Sequence, residues 1–549
     1  MPSKRQHNTS DNSSSYRYAT LVTSAVVLIT LYTINQQSVY ADSNANSKQW
    51  SKSDPDLPVY TSADVKKHGR KASRIWVTYS GYVYDITDFI ALHPGGNSKI
   101  LLAAGTDTAP FWNIYQQHKK KEVQDILAQY LIGKLDAASS TDTTTASQPV
   151  SDPYINQPER NPALITLTDK PCNAETPNDL LQSRITPNEL FYVRNHMHTP
   201  PVDPSTYKLT ITGDHIRTTQ LTLDEIKTKF KRHSVEVTLQ CAGNRRHEMN
   251  VIKPIKGLDW ECGAISNAIW SGAKLRDILE YTGLDVDGVD QNTVNSNVAH
   301  IQMEGLDIDP ITQTGYGSSI PVSKAVSNTD DVIVAYEMNG VDIPPDHGYP
   351  IRVVVPGIVG ARSVKWCHKI IASPYESSAH WQQYDYKSFN NSIDWNNVDW
   401  SSSPAIQETP ITSAITSPSN NDKLSIYDDE VNIQGYAYSG GGRDVIRVDV
   451  SIDDGKTWSA AKLHKTNADM YKRHTWNWVQ WSSTLPVELK NHDNVNIICK
   501  AVDSQYNSQP DNVQPIWNLR GVLNNAWHRV NIKVDQDNVD SHATSSPDK

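Results

Sequence analysis

Residues 136 to 153 divide this chain. They are almost entirely Ala, Ser, Thr, Asp, Gln and Pro, a composition that cannot bury enough apolar surface to order itself. A flexible segment of about 18 residues has a typical end-to-end reach of roughly 20–25 Å, so it reads as a tether between parts that must meet repeatedly. The 549 residues, 38% of them hydrophobic, suffice for several separate cores. The formal net charge of −10 leaves no electrostatic footprint for nucleic acid.

The first fifty residues read as an address. Lys4, Arg5 and Arg17 accompany one acid, Asp11, and an apolar run from Ala19 to Ile34 is interrupted by five Ser/Thr residues. The run is shorter than the roughly 20 apolar residues a spanning helix needs. Val39-Tyr40-Ala41 has the small-residue spacing of a processing site. A secretory signal, a two-part mitochondrial sorting signal and a retained anchor share these features. The five cysteines, Cys172, Cys241, Cys262, Cys367 and Cys499, are scattered and include no CxxC. That argues against a disulfide scaffold and against structural zinc.

Before the tether, Ile75–Tyr79 and Tyr82–Ile86 alternate as two short strands joined through Ser80-Gly81, and Glu122–Tyr130 reads as a helix. After it, Tyr207–Gly213 and Val235–Leu239 read as strands, and Leu223–Phe230 and Leu275–Tyr281 as helices, the pattern of an α+β block. From about Ile406 helix signals fade. Val431–Ala437, Val445–Ile452 and Val495–Ala501 read as strands between Asp-Gly and Gly-Gly-Gly turns, which predicts an immunoglobulin-like β-sandwich.

Two places carry chemistry. Cys241 opens the run Cys241-Ala242-Gly243-Asn244-Arg245-Arg246. Adjacent cations favour the thiolate, the form that binds metal, and guanidinium groups can hold an oxyanion beside it. The alternative is a buried structural cysteine next to a solvated basic turn. In the first block, His93-Pro94-Gly95-Gly96 is followed by His118 inside an expected apolar-aromatic helix that includes Phe111 to His118. Two imidazoles from opposite walls give a closed, six-coordinate haem site, which moves electrons without binding substrate.

With Phe89, the Trp76 strand and His118, the first block resembles the cytochrome b5 family, which implies His93 and His118 as axial ligands of one haem b. Phe191-Tyr192-Val193-Arg194-Asn195-His196, the Cys241 run and Pro350-Ile351-Arg352-Val353-Val354-Val355-Pro356-Gly357 resemble the core of the sulfite oxidase family. The block order matches its animal type. The expected organisation is a targeting segment 1–57, a cytochrome b5-like α+β domain 58–135, a linker 136–153, an α+β molybdopterin core 154–405, a sandwich dimerisation domain 406–536 and a tail 537–549.

The resemblance implies one molybdenum-molybdopterin per chain, with Cys241 as the protein sulfur on the metal. It implies a pterin cradle of Tyr192, Val193, Arg194, Asn195, His196, Asp307, His347, Arg352, Ser363, Val364 and Lys365. For sulfite it implies Arg194, Arg246 and Arg520 as anion-binding groups, Trp260 as pocket wall and Tyr386 beside the reacting metal. The implied reaction is sulfite to sulfate, with electrons passing through the haem to cytochrome c, in a homodimer of the mitochondrial intermembrane space. Nitrate reductase shares the core and a b5 module, but there the haem module follows the core and leads into a flavin reductase. A b5-type electron carrier with a structural partner domain is the reading from a different class.

Overall fold

The computed structural model describes residues 50–93, 96–136, 152–288, 298–310, 312–466, 473–488 and 493–535. Nearly all of the expected targeting segment, Pro94 and Gly95, the linker from 137 to 151 and the tail 537–549 lie outside them. Among the described residues no helix is long and apolar enough to cross a membrane. The chain separates into two compact units, divided between Val150 and Ser151.

The first unit is built on a four-stranded sheet in the order Val59–Tyr60, Leu131–Leu135, Tyr82–Asp85, Trp76–Tyr79. The last two strands form the expected hairpin, with Trp76 opposite Asp85. Ser80 and Gly81 both take positive φ, 50° and 79°, as a two-residue hairpin turn requires. Leu57, Ile75, Val77, Tyr84, Ile86 and Leu131 close the core beneath it. The helix expected to carry His118 is interrupted. An α-helix spans Ala109–Ile114, Tyr115 breaks it at φ −99° and ψ 78°, and His118 lies on a separate 3-10 turn, Gln116–Lys119.

The second unit contains two five-stranded sheets and a sandwich. In one sheet, Arg232–Gln240 pairs antiparallel along its whole length with Ile265–Lys274, which pairs on with Ile333–Met338. The other runs Gly315–Pro321, His300–Ile308, Cys367–Ser373, Lys208–Gly213, Thr219–Thr222. A single large apolar core joins residues of both sheets, from Leu209 and Ile211 to Val353 and Ile370. The expected helix at Leu223 runs Leu223–Lys229 and starts on a capping box of Thr222 and Glu225, two orphan N–H groups satisfied reciprocally.

The sandwich has one sheet of Thr412–Ser417, Glu430–Tyr438, Val479–Pro486 and Lys462–His464, and a facing sheet centred on Asn494–Asp503. Ile433, Val448, Trp481, Ile497 and Ile532 fill the space between them. It is bonded directly to the α+β core. Trp478 donates its backbone N–H to Thr238 Oγ1 at 2.8 Å, and Asn244 Nδ2 donates to Tyr436 Oη at 3.1 Å.

Candidate active site and haem ligands

The two histidines of the first unit face each other. Their ring centroids are 6.1 Å apart and the planes differ by 6°. Each Nδ1 lies against a backbone carbonyl, that of Gly96 at 3.1 Å for His93 and that of Tyr115 at 2.8 Å for His118. A carbonyl can only accept, so Nδ1 carries the proton and Nε2 keeps its lone pair. Burial holds both rings below the usual imidazole range, which keeps them in the neutral, ligating form. With metal–nitrogen bonds of roughly 2 Å on each side, two rings bonded end-on to one iron have centroids roughly 6 Å apart. The spacing fits a haem held between them.

In the second unit the strand Arg232–Gln240 delivers Cys241 to the wall of a cavity. Phe191, Tyr192, Arg194, His196, Asp307, His347, Arg352, Ser363, Lys365 and Tyr386 line it with Cys241. The backbone N–H of Gly243 approaches Cys241 Sγ at 3.4 Å. The other cysteines sit elsewhere in the interior. Burial pushes the Cys172 and Cys499 thiols up to about 11, Cys367 up to about 12 and Cys262 higher still.

The lining brings together three cations, Arg352 buried and Arg194 and Lys365 part-buried. Burial pushes Arg352 down to about 10 and Lys365 down to about 7. It also takes His347 down to about 4 and Asp307 up to about 8. Arg352 Nε and Asp307 Oδ1 are buried without a hydrogen-bond partner. Gly360 keeps the wall low, because a Cβ there would meet the Gln240 carbonyl at 2.9 Å and Tyr192 Oη at 3.0 Å. Unpaired donors, depressed cations and a protonated acid suit an anionic, hydrogen-bonding guest such as a pterin with its phosphate and thiolates.

Behind this lining a charged clasp fixes the cradle. Asp346 accepts both Nε and Nη2 of Arg160, at 2.8 and 3.0 Å, and also bonds Asn195 and Thr199. Lys365 Nζ bonds Asn195 Oδ1 and the Asp346 carbonyl.

Tyr386 Oη lies 2.9 Å from His196 Nε2. Burial pushes the phenol up to about 12 and keeps His196 well below its usual range, so both are neutral at physiological pH.

Six of the expected residues stand off the cavity surface. Val193, Asn195 and Val364 are buried in the layer behind it, and Trp260 is fully buried in the cluster that contains Cys241. Arg246 donates Nε to the carbonyls of Arg520 and Gly521, at 3.2 and 2.9 Å, and Nη1 to the Leu258 carbonyl at 2.8 Å. Arg520, supplied by the segment after the sandwich strand Asn494–Asp503, thus reaches the core, where it pairs with Asp385. Arg245, the other cation beside Cys241, turns away. It is fully buried, bonds both oxygens of Glu248 and donates to the Ser413 carbonyl.

Sequence reasoning missed Phe191, Ala242, Tyr316, Gly360 and Ala361 in the lining. Phe191 and Ala242 adjoin residues it named, and Gly360 and Ala361 lie three and two positions before Ser363. Tyr316, whose Oη donates to the Ala361 carbonyl at 2.7 Å, carried no local signal.

Three family models match the chain: a cytochrome b5-like haem/steroid binding domain over 61–136, an oxidoreductase molybdopterin binding domain over 196–381 and a Mo-co oxidoreductase dimerisation domain over 403–535. Sulfite oxidase of Gallus gallus is 48% identical over 478 residues, covering 86% of this chain and all of that protein. The mitochondrial sulfite oxidase of Homo sapiens is 48% identical over 478 residues, 87% of this chain and 84% of its own. Among solved structures, the sulfane dehydrogenase SoxCD of Paracoccus pantotrophus superposes with a TM-score of 0.55 at 22% identity, over 70% of this chain and 90% of that one. That likeness is one of fold.

Proposed function

This chain belongs to the sulfite oxidase family, whose chemistry is the molybdenum- and haem-dependent oxidation of sulfite to sulfate, and on that premise we propose which residues perform it. Cys241 is the protein sulfur on the metal. Arg352, Lys365, His347, Asp307, Ser363, Tyr192 and His196 hold the pterin, with Val193, Asn195 and Val364 supporting them. Bound there, the molybdenum cofactor supplies the two-electron redox chemistry, and a haem between His93 and His118 carries electrons singly.

The protein's own contribution is electrostatic and geometric. Sulfite and sulfate are dianions, and Arg194, Arg246 and Arg520 offer guanidinium forks that offset charge and orient oxygens. Oxidation of sulfite with water releases two electrons and two protons. The neutral Tyr386 phenol donates a hydrogen bond to the anion or to His196 Nε2, a contact along which a proton can be passed to the ring. Trp260 backs the thiol with apolar bulk.

The carrying observation is that Cys241, alone of the five thiols, opens onto the cation-lined cavity. In Cys241→Ser, oxygen replaces the soft ligand without changing shape. Sulfite then no longer reduces the haem, while the haem spectrum itself is unchanged. Sulfite-dependent haem reduction surviving at the wild-type rate would remove Cys241 from the metal. Molybdenum and haem iron near one to one, by metal analysis, separates this enzyme from a haem carrier with a structural partner domain.

The dimerisation-domain match over 403–535 supports a homodimer. The names of the mammalian relatives support a mitochondrial protein, and we assign it to the intermembrane space with cytochrome c as acceptor. The haem block Pro58–Leu135 has ten Lys/Arg against six Asp/Glu, a formal +4. Docking to a basic acceptor therefore relies on the haem propionates and a local acidic face.

A further inference from the structure

The three arginines assigned to the anion pocket are not held alike. Arg246 is clamped by three backbone carbonyls. Arg194 donates Nη1 to Asn173 Oδ1 and to the Asn195 carbonyl, at 3.1 and 2.7 Å. Both sets of partners are neutral oxygens. Arg520 donates Nη2 to a carboxylate, Asp385 Oδ1, at 2.6 Å, and Nε to the carbonyl of the same residue at 3.2 Å. Its guanidinium carbon lies 5.6 Å from the Trp395 ring centroid. The two side chains are 20% and 19% exposed, so solvent and small ions reach the pair.

Asp385 immediately precedes Tyr386, and His380 Nε2 braces its Oδ1 at 3.1 Å. Burial alone would raise its pKa. The His380 bond and the Arg520 charge overcome that and hold the carboxyl well below the usual range. Arg520 therefore meets a full negative charge from within the protein. An entering oxyanion offers the same fork the same kind of oxygen pair.

We propose that Asp385 is a positioning residue that acts as an internal stand-in for the substrate anion. It holds Arg520 in a paired, turned-aside state, and sulfite entry exchanges one anionic partner for another. The exchange keeps Arg520's charge compensated with the site empty, weakens retention of the sulfate product and rejects anions too weakly basic to displace a carboxylate. It rests on the assignment of Arg520 to the sulfite pocket.

The test is a double-mutant cycle on the holoenzyme with inorganic sulfate as probe, its binding measured by calorimetry without turnover. Asp385→Asn should bind sulfate about two- to fivefold more tightly, the scale of a partly exposed ion pair. It should lower the KM for sulfite by a similar factor without raising kcat. Arg520→Met should weaken sulfate binding, and Asp385→Asn added to it should change nothing further. Asp385→Ser removes the same charge and gives the same reading if asparagine is not tolerated. Unchanged sulfate affinity on loss of the carboxylate overturns the proposal. So does tightening that persists without Arg520, because the carboxylate would then act by general repulsion. If Arg520→Met leaves sulfate binding untouched, the pocket assignment itself fails.

Discussion

Glu175 is a carboxyl group that folding removes from water: it is 2% exposed. Its oxygens accept the backbone N–H groups of Glu261 and Gly263, at 3.3 and 3.2 Å. Burial outweighs those bonds and raises its pKa from 4.5 to about 7, with the nearby Glu261 and Asp259 charges adding to it. Below pH 4.5 both folded and unfolded chains hold this proton. Between 4.5 and about 7 the unfolded chain has released it while the folded chain keeps it, so this group's contribution to stability is lost as pH rises. A displacement of that size corresponds to about 3 kcal/mol. Glu175→Gln should flatten the fall in the second unit's unfolding midpoint across that window, and an unaltered slope would contradict the account. Nothing in the local sequence announces Glu175, because its partners lie 86 and 88 positions later and only the fold brings them together. The neighbours Arg245 and Arg246 teach the same lesson. Both looked available to an anion, but Arg245 takes φ +63° at the start of the helix Arg246–Ile252. The two guanidinium groups part there, one to Glu248 and one to the carbonyls of Leu258 and Gly521.

At the level of strands and helices, periodicity located most of what the structure contains. The strand Val235–Leu239 lies within Arg232–Gln240, and the helix Leu275–Tyr281 has the expected bounds. These segments alternate or repeat cleanly because one face is buried. The turn carrying His118 was not legible, since Phe111 to His118 is apolar enough to continue a helix and only the break at Tyr115 aims the imidazole at His93. Gly272 marks another element-scale constraint. It sits where the pairing of Ile265–Lys274 with Ile333–Met338 shifts register, and a Cβ there would meet the Val334 carbonyl oxygen at 2.1 Å and Ala335 Cα at 2.6 Å. No side-chain rotation relieves a clash with backbone, so Gly272→Ala must spread the strands, at a cost of about 2 kcal/mol or more. Thermal unfolding should show the second unit's transition lowered and the haem unit's, followed by haem absorbance, unchanged. Displacement of both or of neither would contradict this placement of the strain.

For the whole molecule, composition located the division of the chain and missed a union. The boundary between Val150 and Ser151 falls inside the stretch that composition marks as unable to order itself. The sandwich shares its unit with the molybdenum core through a seam of buried bonds from Asn244, Arg245 and Thr238. Composition carries no sign of such an interface; only the resemblance that assigns Arg520 of the third block to the sulfite pocket implied that the two meet. The consequence is that substrate chemistry belongs wholly to the second unit and haem chemistry wholly to the first. Electrons must therefore cross between bodies joined by a segment with little apolar surface. Removing half of residues 137–151 would leave about ten of the 18 residues and cut the reach that their composition allows from roughly 20–25 Å to roughly 16–19 Å. It would restrict the approaches the haem unit can make, because effective concentration falls toward zero once a linker no longer spans its sites. In rapid mixing with sulfite, the shortened protein should reduce its molybdenum at the wild-type rate and its haem more slowly, with sulfate affinity unchanged. Equal slowing of both steps would mean that the deletion disturbs the second unit itself. Undiminished haem reduction would mean that the segment's length does not govern the encounter.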